Sequence, residues 1–153
     1  MSDGQNDFID DAVRVINDPR IKIHKMLEPT GFWGHFNRKK ALYEYASGEF
    51  VLQTSIQDYY LPNAVLEILE HEDDSDIVYF DCLHNHFGHD VFNTRLSLNH
   101  IDWGCFAVRT TIARDIGIND CESSGCDGLF VEKCVKHPSI RIKKIEKILS
   151  VHN

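Results

Sequence analysis

Apolar positions recur at helical spacing from Asp7 to Asn17, where Phe8, Ile9, Ala12, Val13 and Ile16 form one stripe that Asp18-Pro19 ends. Ile21 to Met26 alternates apolar with polar residues and predicts a strand. Pro29 to Gly34 reads as a loop, yet it carries Phe32 and Trp33. Phe36 to Ala46 predicts a helix stopped by Ser47-Gly48, Phe50 to Gln53 a strand, and Pro62 to His71 a second helix. An acidic turn from Glu70 to Asp76 leads into a strong strand, Asp76 to Leu83. His84 to His100, rich in His, Asn and Gly, reads as a long functional loop with some extended pairing. Phe106 to Val108 then predicts a strand, Thr110 to Asp115 a helix closed by Gly117, and Asn119 to Gly128 a second loop. Leu129 to Lys136 predicts a helix, and Ile140 to Ile142 and Lys147 to Val151 two final strands.

Helices and strands alternate along most of the chain. That pattern predicts one α/β domain over residues 1–153, a mostly parallel mixed sheet with helices on both faces. In such sheets ligands sit at the carboxyl ends of strands. The polar run Thr54 to Asp58, following Phe50 to Gln53, lies at such an end and makes Asp58 the first candidate site residue.

An apolar fraction of 42% and a charged fraction of 26% are those of an ordinary globular chain. The formal net charge of -8 argues against non-specific nucleic-acid binding. Arg38-Lys39-Lys40 and Arg141-Ile142-Lys143-Lys144 are the only basic clusters. No apolar run approaches the ~20 residues that span a bilayer, and residues 1–7 lack the basic and apolar regions of a secretory signal. Five cysteines, an odd count, then suggest free thiols in a reducing, cytoplasmic setting.

Candidate chemistry gathers at predicted strand ends: Asp58, the segment Ile101-Asp102-Trp103-Gly104, Asp127-Gly128 before a helix, and His152 beyond the last strand. Carboxylate and imidazole ligands suit Mn²⁺ or Mg²⁺. Asp127 also reads as a helix cap.

The run Gly34-His35-Phe36-Asn37-Arg38-Lys39-Lys40-Ala41-Leu42, with Ala46 to Leu52, Asp58-Tyr59-Tyr60, Ile101 to Gly104, Asp127-Gly128-Leu129-Phe130 and Val151-His152-Asn153, resembles family 2 glycosyltransferases of the GT-A fold. The resemblance implies transfer of a sugar from a nucleotide-diphosphate donor to a hydroxyl of a glycan or other acceptor, with inversion. It implies donor contacts at Asp3, Asn37, Arg38 and Asp58, and acceptor contacts at Asp102 and Trp103. Asp127 would be the general base, and Asp58 and His152 would be ligands of Mn²⁺ or Mg²⁺. Two departures stand out. The acidic motif is reduced to Asp58 behind Ser55-Ile56-Gln57, and the family's opening strand-helix-strand, about 30–40 residues, is expected to be missing before Ser2. An apolar sheet edge left by that loss would pair with a second copy or a complementing chain.

Two other classes fit parts of the sequence. A non-catalytic remnant that binds sugar or a partner chain would use Phe32, Trp33, Tyr59, Tyr60, Phe87 and Trp103. A zinc-bound nuclease would use His84-Asn85-His86, His89, Cys121 and Cys126.

Overall fold

The computed structural model describes residues 11, 14–26 and 28–153. Asp3 and the Phe8, Ile9, Ala12 and Val13 positions of the first stripe lie outside them. Six strands form one sheet: β1 (Phe50–Leu52), β2 (Tyr59–Tyr60), β3 (Ile77–His84), β4 (Asp90–Phe92), β5 (Phe106–Arg109) and β6 (Ile142–His152). Four α-helices that lie wholly within the described residues accompany it: α1 (His35–Lys40), α2 (Ala64–Leu69), α3 (Thr110–Ile116) and α4 (Cys126–Val135). No described helix is long and apolar enough to cross a membrane.

The strand order is β1-β5-β3-β6-β2, with β4 beside the far half of β3. The expected mostly parallel sheet is not what forms. Only β3 and β6 are parallel; β1–β5, β5–β3, β3–β4 and β6–β2 are all antiparallel. Local periodicity reports that strands and helices alternate, but direction is set by how each connection returns. Here β3 doubles back at once through a short turn (Asn85–Phe87) into β4, and β5 enters between β1 and β3 against both.

Other expectations shift with it. The His84–His100 loop contains the end of β3 and all of β4. The two final strands are one strand of 11 residues. Lys143 and Lys144 look like a break in the sequence, but Lys144 reaches Asp81 at 3.1 Å and lies over the Tyr79 ring, so the strand continues. Ile21 to Met26 forms no strand beyond a single bridge at Lys25. The helix expected at Phe36–Ala46 is α1 followed by a π-helical stretch, Ala41–Tyr45, in which Ala46 N–H reaches Ala41 O at 2.9 Å. Arg114 of α3 tethers that stretch. Its guanidinium donates to Leu42 O at 3.0 and 3.1 Å and to Ala46 O at 2.6 Å.

Alternation along β3 builds two cores. Ile77 packs with Leu42, Phe106, Val108, Phe130 and Val131 on one face, while Val78 and Phe80 meet Ala64, Ile68, Ile145 and Leu149 on the other. Opposite Phe80 to Cys82 the register with β6 slips, and Cys82 joins the first core.

At the opposite end of β3 from the polar strand ends, Asp76 clasps three elements. Its carboxylate accepts from Arg109 Nε at 3.3 Å, Arg141 Nη2 at 3.0 Å and the Arg141 backbone N–H at 2.9 Å. The Arg141 hydrogen bonds hold the Asp76 carboxyl below its ordinary value against the opposing effect of burial. Arg109 also bonds Glu49 and Glu72 O, and covers the Phe50 ring.

Candidate functional site

Antiparallel pairing of β5 with both neighbours leaves β1, β3 and β6 running in one direction. Their carboxyl ends therefore meet. His84 ends β3 directly opposite His152 of β6, with ring centroids 4.2 Å apart. Asp58 leads into β2, which pairs with the last residues of β6. Above these ends lies a cavity of about 1190 Å³, slightly beyond the ~300–1,000 Å³ usual for small-molecule sites. Arg38, Asn37, Asp102, Trp103, Asp127 and His152 all line it.

Asp58 sits just beneath the cavity, its side chain 4% exposed. Its Oδ2 accepts from Ser55 N–H at 3.3 Å and Thr54 Oγ1 at 3.4 Å, and its Oδ1 from Asn153 N–H at 3.0 Å. One carboxylate thus ties the end of β1 to the end of β6. His152 Nδ1 stands 3.2 Å from Asp58 Oδ1 and 3.8 Å from Asp102 Oδ1. Asp102, Asp58 and His152 each offer one atom within 4.8 Å of the others. A carboxylate and imidazole donor set of this kind fits a divalent cation such as Mn²⁺ or Mg²⁺.

Arg38 projects from α1, where Nη1 donates to Trp33 O at 2.6 Å and the buried Nε meets no acceptor. Burial pulls its guanidinium below the usual arginine value, while Asp102, Asp127 and Asp58 pull it back up. The loop before α1 is strained. Gly31, Phe32, Trp33 and Gly34 all have φ between 48° and 74°, a region that bulky residues rarely adopt and that clusters at functional sites. Phe32 and Trp33 are left exposed at the cavity mouth.

Asp127 lies inside the first turn of α4. The helix begins earlier than the sequence suggests, so Gly125 takes the cap position and Asp127 does not. Its Oδ1 accepts from Gly128 N–H at 2.7 Å. Burial pushes its carboxyl up to about 6; Asp102 adds to the rise, and the Gly128 amide and Arg38 oppose it. Gly128 is required by packing: a Cβ there would lie 2.6 Å from Leu98 Cα. Glu132, one turn along, accepts from Leu98 N–H at 2.9 Å and pins the 93–101 loop to the helix.

Trp103 is buried in the floor of the cavity against Phe106 and Phe130, both at 5.4 Å. The nuclease set does not assemble. Cys121 and Cys126 are buried, burial raises both thiols, Cys126 to about 12, and among the described residues only Asp58, Asp102 and His152 converge as metal ligands. Sequence reasoning missed His35. It is 3% exposed and lines the cavity with no side-chain partner on either ring nitrogen. Its signal was the three-residue spacing to Arg38, which puts both on one helix face. Burial and the Arg38 charge pull its imidazole below the usual histidine value, against the opposing effects of Asp102 and the Ser123 backbone.

Mixed sheet, helices and strand-end cavity together make a GT-A-like fold. S. aureus TarS, a family 2 glycosyltransferase of that fold, is similar to this chain in three solved structures. TarS 1-349 matches 97% of the chain with a TM-score of 0.72 at 22% identity. TarS 1-349 in complex with UDP matches 95% with 0.68 at 21%, and a longer TarS structure matches 97% with 0.66 at 20%. The chain spans about half of TarS 1-349, 48% and 47% in the two structures, and 29% of the longer one. Likeness at this identity shows the fold. No protein-family model matches the chain, and no curated protein matches it in sequence.

Proposed function

We propose that the cavity binds a nucleoside-diphosphate sugar and that the chain takes part in moving the sugar to an acceptor hydroxyl. The observation that carries this reading is the meeting of Arg38, Asp127 and the Asp58–His152 pair at one set of strand ends. In TarS the same fold accommodates UDP.

The chemistry follows from charge. The acceptor oxygen attacks the anomeric carbon, the bond from that carbon to the diphosphate oxygen breaks, and the electron pair leaves with the nucleoside diphosphate. Arg38, whose side chain lines the cavity, is placed to bind the departing anion. A divalent cation held by Asp58 and His152 would neutralise the same charge. Asp127 takes the hydroxyl proton. Its carboxyl, poised near 6, is ionised at neutral pH and still basic enough to receive that proton. Direct displacement inverts the configuration. Asn37 Oδ1 and Trp103 Nε1, both buried and unpartnered, offer an acceptor and a donor to donor or acceptor hydroxyls.

Calorimetric titration with UDP in Mn²⁺ tests the reading. UDP is expected to bind, and Arg38→Ala to weaken it by about 10- to 100-fold, the worth of a charge-assisted hydrogen bond. Absence of UDP binding, or an Arg38→Ala affinity equal to the parent's, would sink it. A second reading, a sugar-binding remnant without transfer, draws on the exposed Phe32 and Trp33 and on the missing acids at Ser55-Ile56-Gln57. Sugar transfer from a UDP-sugar to an acceptor separates the two.

A further inference from the structure

The stretch between β1 and β2 that carries the family-like acidic motif supplies only one carboxylate. Ser55 is tied into the turn, with its Oγ 3.5 Å from Gln57 N–H, and Ile56 and Gln57 point no acid at the site. A second carboxylate nevertheless stands there, brought from 44 residues downstream in the loop before β5. Asp102 Oδ1 lies 3.8 Å from His152 Nδ1, and His152 Nδ1 lies 3.2 Å from Asp58 Oδ1. The loop is drawn close to the end of β1 at Gly104, where a Cβ would come within 3.3 Å of both Asp102 Oδ1 and Thr54 Oγ1.

A purely structural duty for Asp102 accounts for part of this. It caps the turn Trp103–Cys105 by accepting from Gly104 N–H at 2.8 Å. Asparagine performs that duty as well as aspartate, so capping does not explain a charge at this position. Asp58, Asp102 and Asp127 set three carboxylates against the single guanidinium of Arg38. An anionic ligand entering such a cavity needs a further positive charge. Moreover, His35 is more than nine-tenths buried in the same cavity wall with no side-chain partner on either ring nitrogen.

We propose that Asp102 is a direct ligand of a divalent cation shared with Asp58 and His152, standing in for the acid that Ser55 to Gln57 do not provide. Two carboxylates and one imidazole favour Mn²⁺ over the harder Mg²⁺. The proposal draws the purpose of the cation from the sugar-nucleotide reading, but its test uses Mn²⁺ alone.

Free Mn²⁺ is followed by electron paramagnetic resonance as nucleotide-free protein is titrated, for the parent chain, Asp102→Asn, and Ser55→Asp combined with Asp102→Asn. Asp102→Asn is expected to weaken Mn²⁺ at least about tenfold, since even residues behind a ligand are worth 10- to 100-fold. Its urea midpoint should match the parent's, because the cap is kept. Returning an acid at position 55 is expected to recover most of the affinity. Mn²⁺ affinity unchanged in Asp102→Asn overturns the proposal, as does absence of binding to the parent. So does a loss that comes with a lower urea midpoint and no recovery in the double variant. Should Mn²⁺ behave as expected while UDP fails to bind, the donor reading falls and the cation assignment stands.

Discussion

Asp127→Asn is expected to make the protein more stable at neutral pH and, on the proposed chemistry, to abolish sugar transfer. The folded state prefers the protonated carboxyl, because burial raises it to about 6 from an ordinary value of 3.8. The sign follows from proton uptake: between those values the folded chain holds more proton than the unfolded one, so stability falls as pH rises through that window. Below about pH 4 both states are protonated and nothing is lost. Above about 6 the full cost is present, on the order of 3 kcal/mol. Asparagine keeps the bond from Gly128 N–H and removes the titration. Urea denaturation should show a gain of roughly 1–3 kcal/mol at pH 7.5 and almost none at pH 4. The sugar transfer proposed for the chain should drop by about 10²- to 10⁴-fold, the usual worth of a positioned base. An equal effect on stability at both pH values would show that the Asp127 carboxyl does not titrate as a buried acid. Retained transfer would remove it from the chemistry.

The second large effect lies at the other end of the sheet. Asp76→Ala removes one carboxylate from two arginines and a backbone amide, leaving Arg109 and Arg141 without the charge they surround. Breaking a buried pair of this type costs about 3–5 kcal/mol. Arg141 is half exposed and can rehydrate, which lowers the expected loss to about 2–3 kcal/mol. The acid dependence distinguishes this group from Asp127. The Asp76 carboxyl is held below its ordinary value, so its stabilisation is present above about pH 4 and fades as pH falls through the lower folded value. The parent chain should therefore lose stability below pH 4 more steeply than the variant does. Parallel urea midpoints for the two from pH 7 to pH 2.5 would contradict the clasp.

The sequence was most readable where apolar residues follow one another without a break. β3 announces itself through Ile77-Val78-Tyr79-Phe80 because both its faces are buried. β2 was invisible: Tyr59-Tyr60 is two residues long, and it is a strand only because Val151 and Ser150 lie beside it. Strand direction was equally hidden, since no local pattern encodes which neighbour β5 will meet. At the site, Asp58, Asp127 and His152 could each be picked out as polar residues at the ends of predicted strands or in adjoining loops, and Arg38 only through the family resemblance. What could not be read was proximity. Asp102 looked like part of an acceptor-facing loop, and only the pairing of β3 with β6 and the approach of Gly104 to Thr54 set it beside His152.

The slip between β3 and β6 has a geometric consequence. From Phe80 to Cys82 strand β3 takes two residue steps, while β6 takes five, from Ile145 to Ser150. β6 is thus a ruler of 11 residues, about 36 Å if fully extended, anchored near Asp76 at one end and carrying the imidazole at the other, with its slack gathered in the middle. That slack sets the phase of everything beyond it. Removing or adding one residue there would turn every side chain beyond it, His152 included, to the opposite side of the sheet.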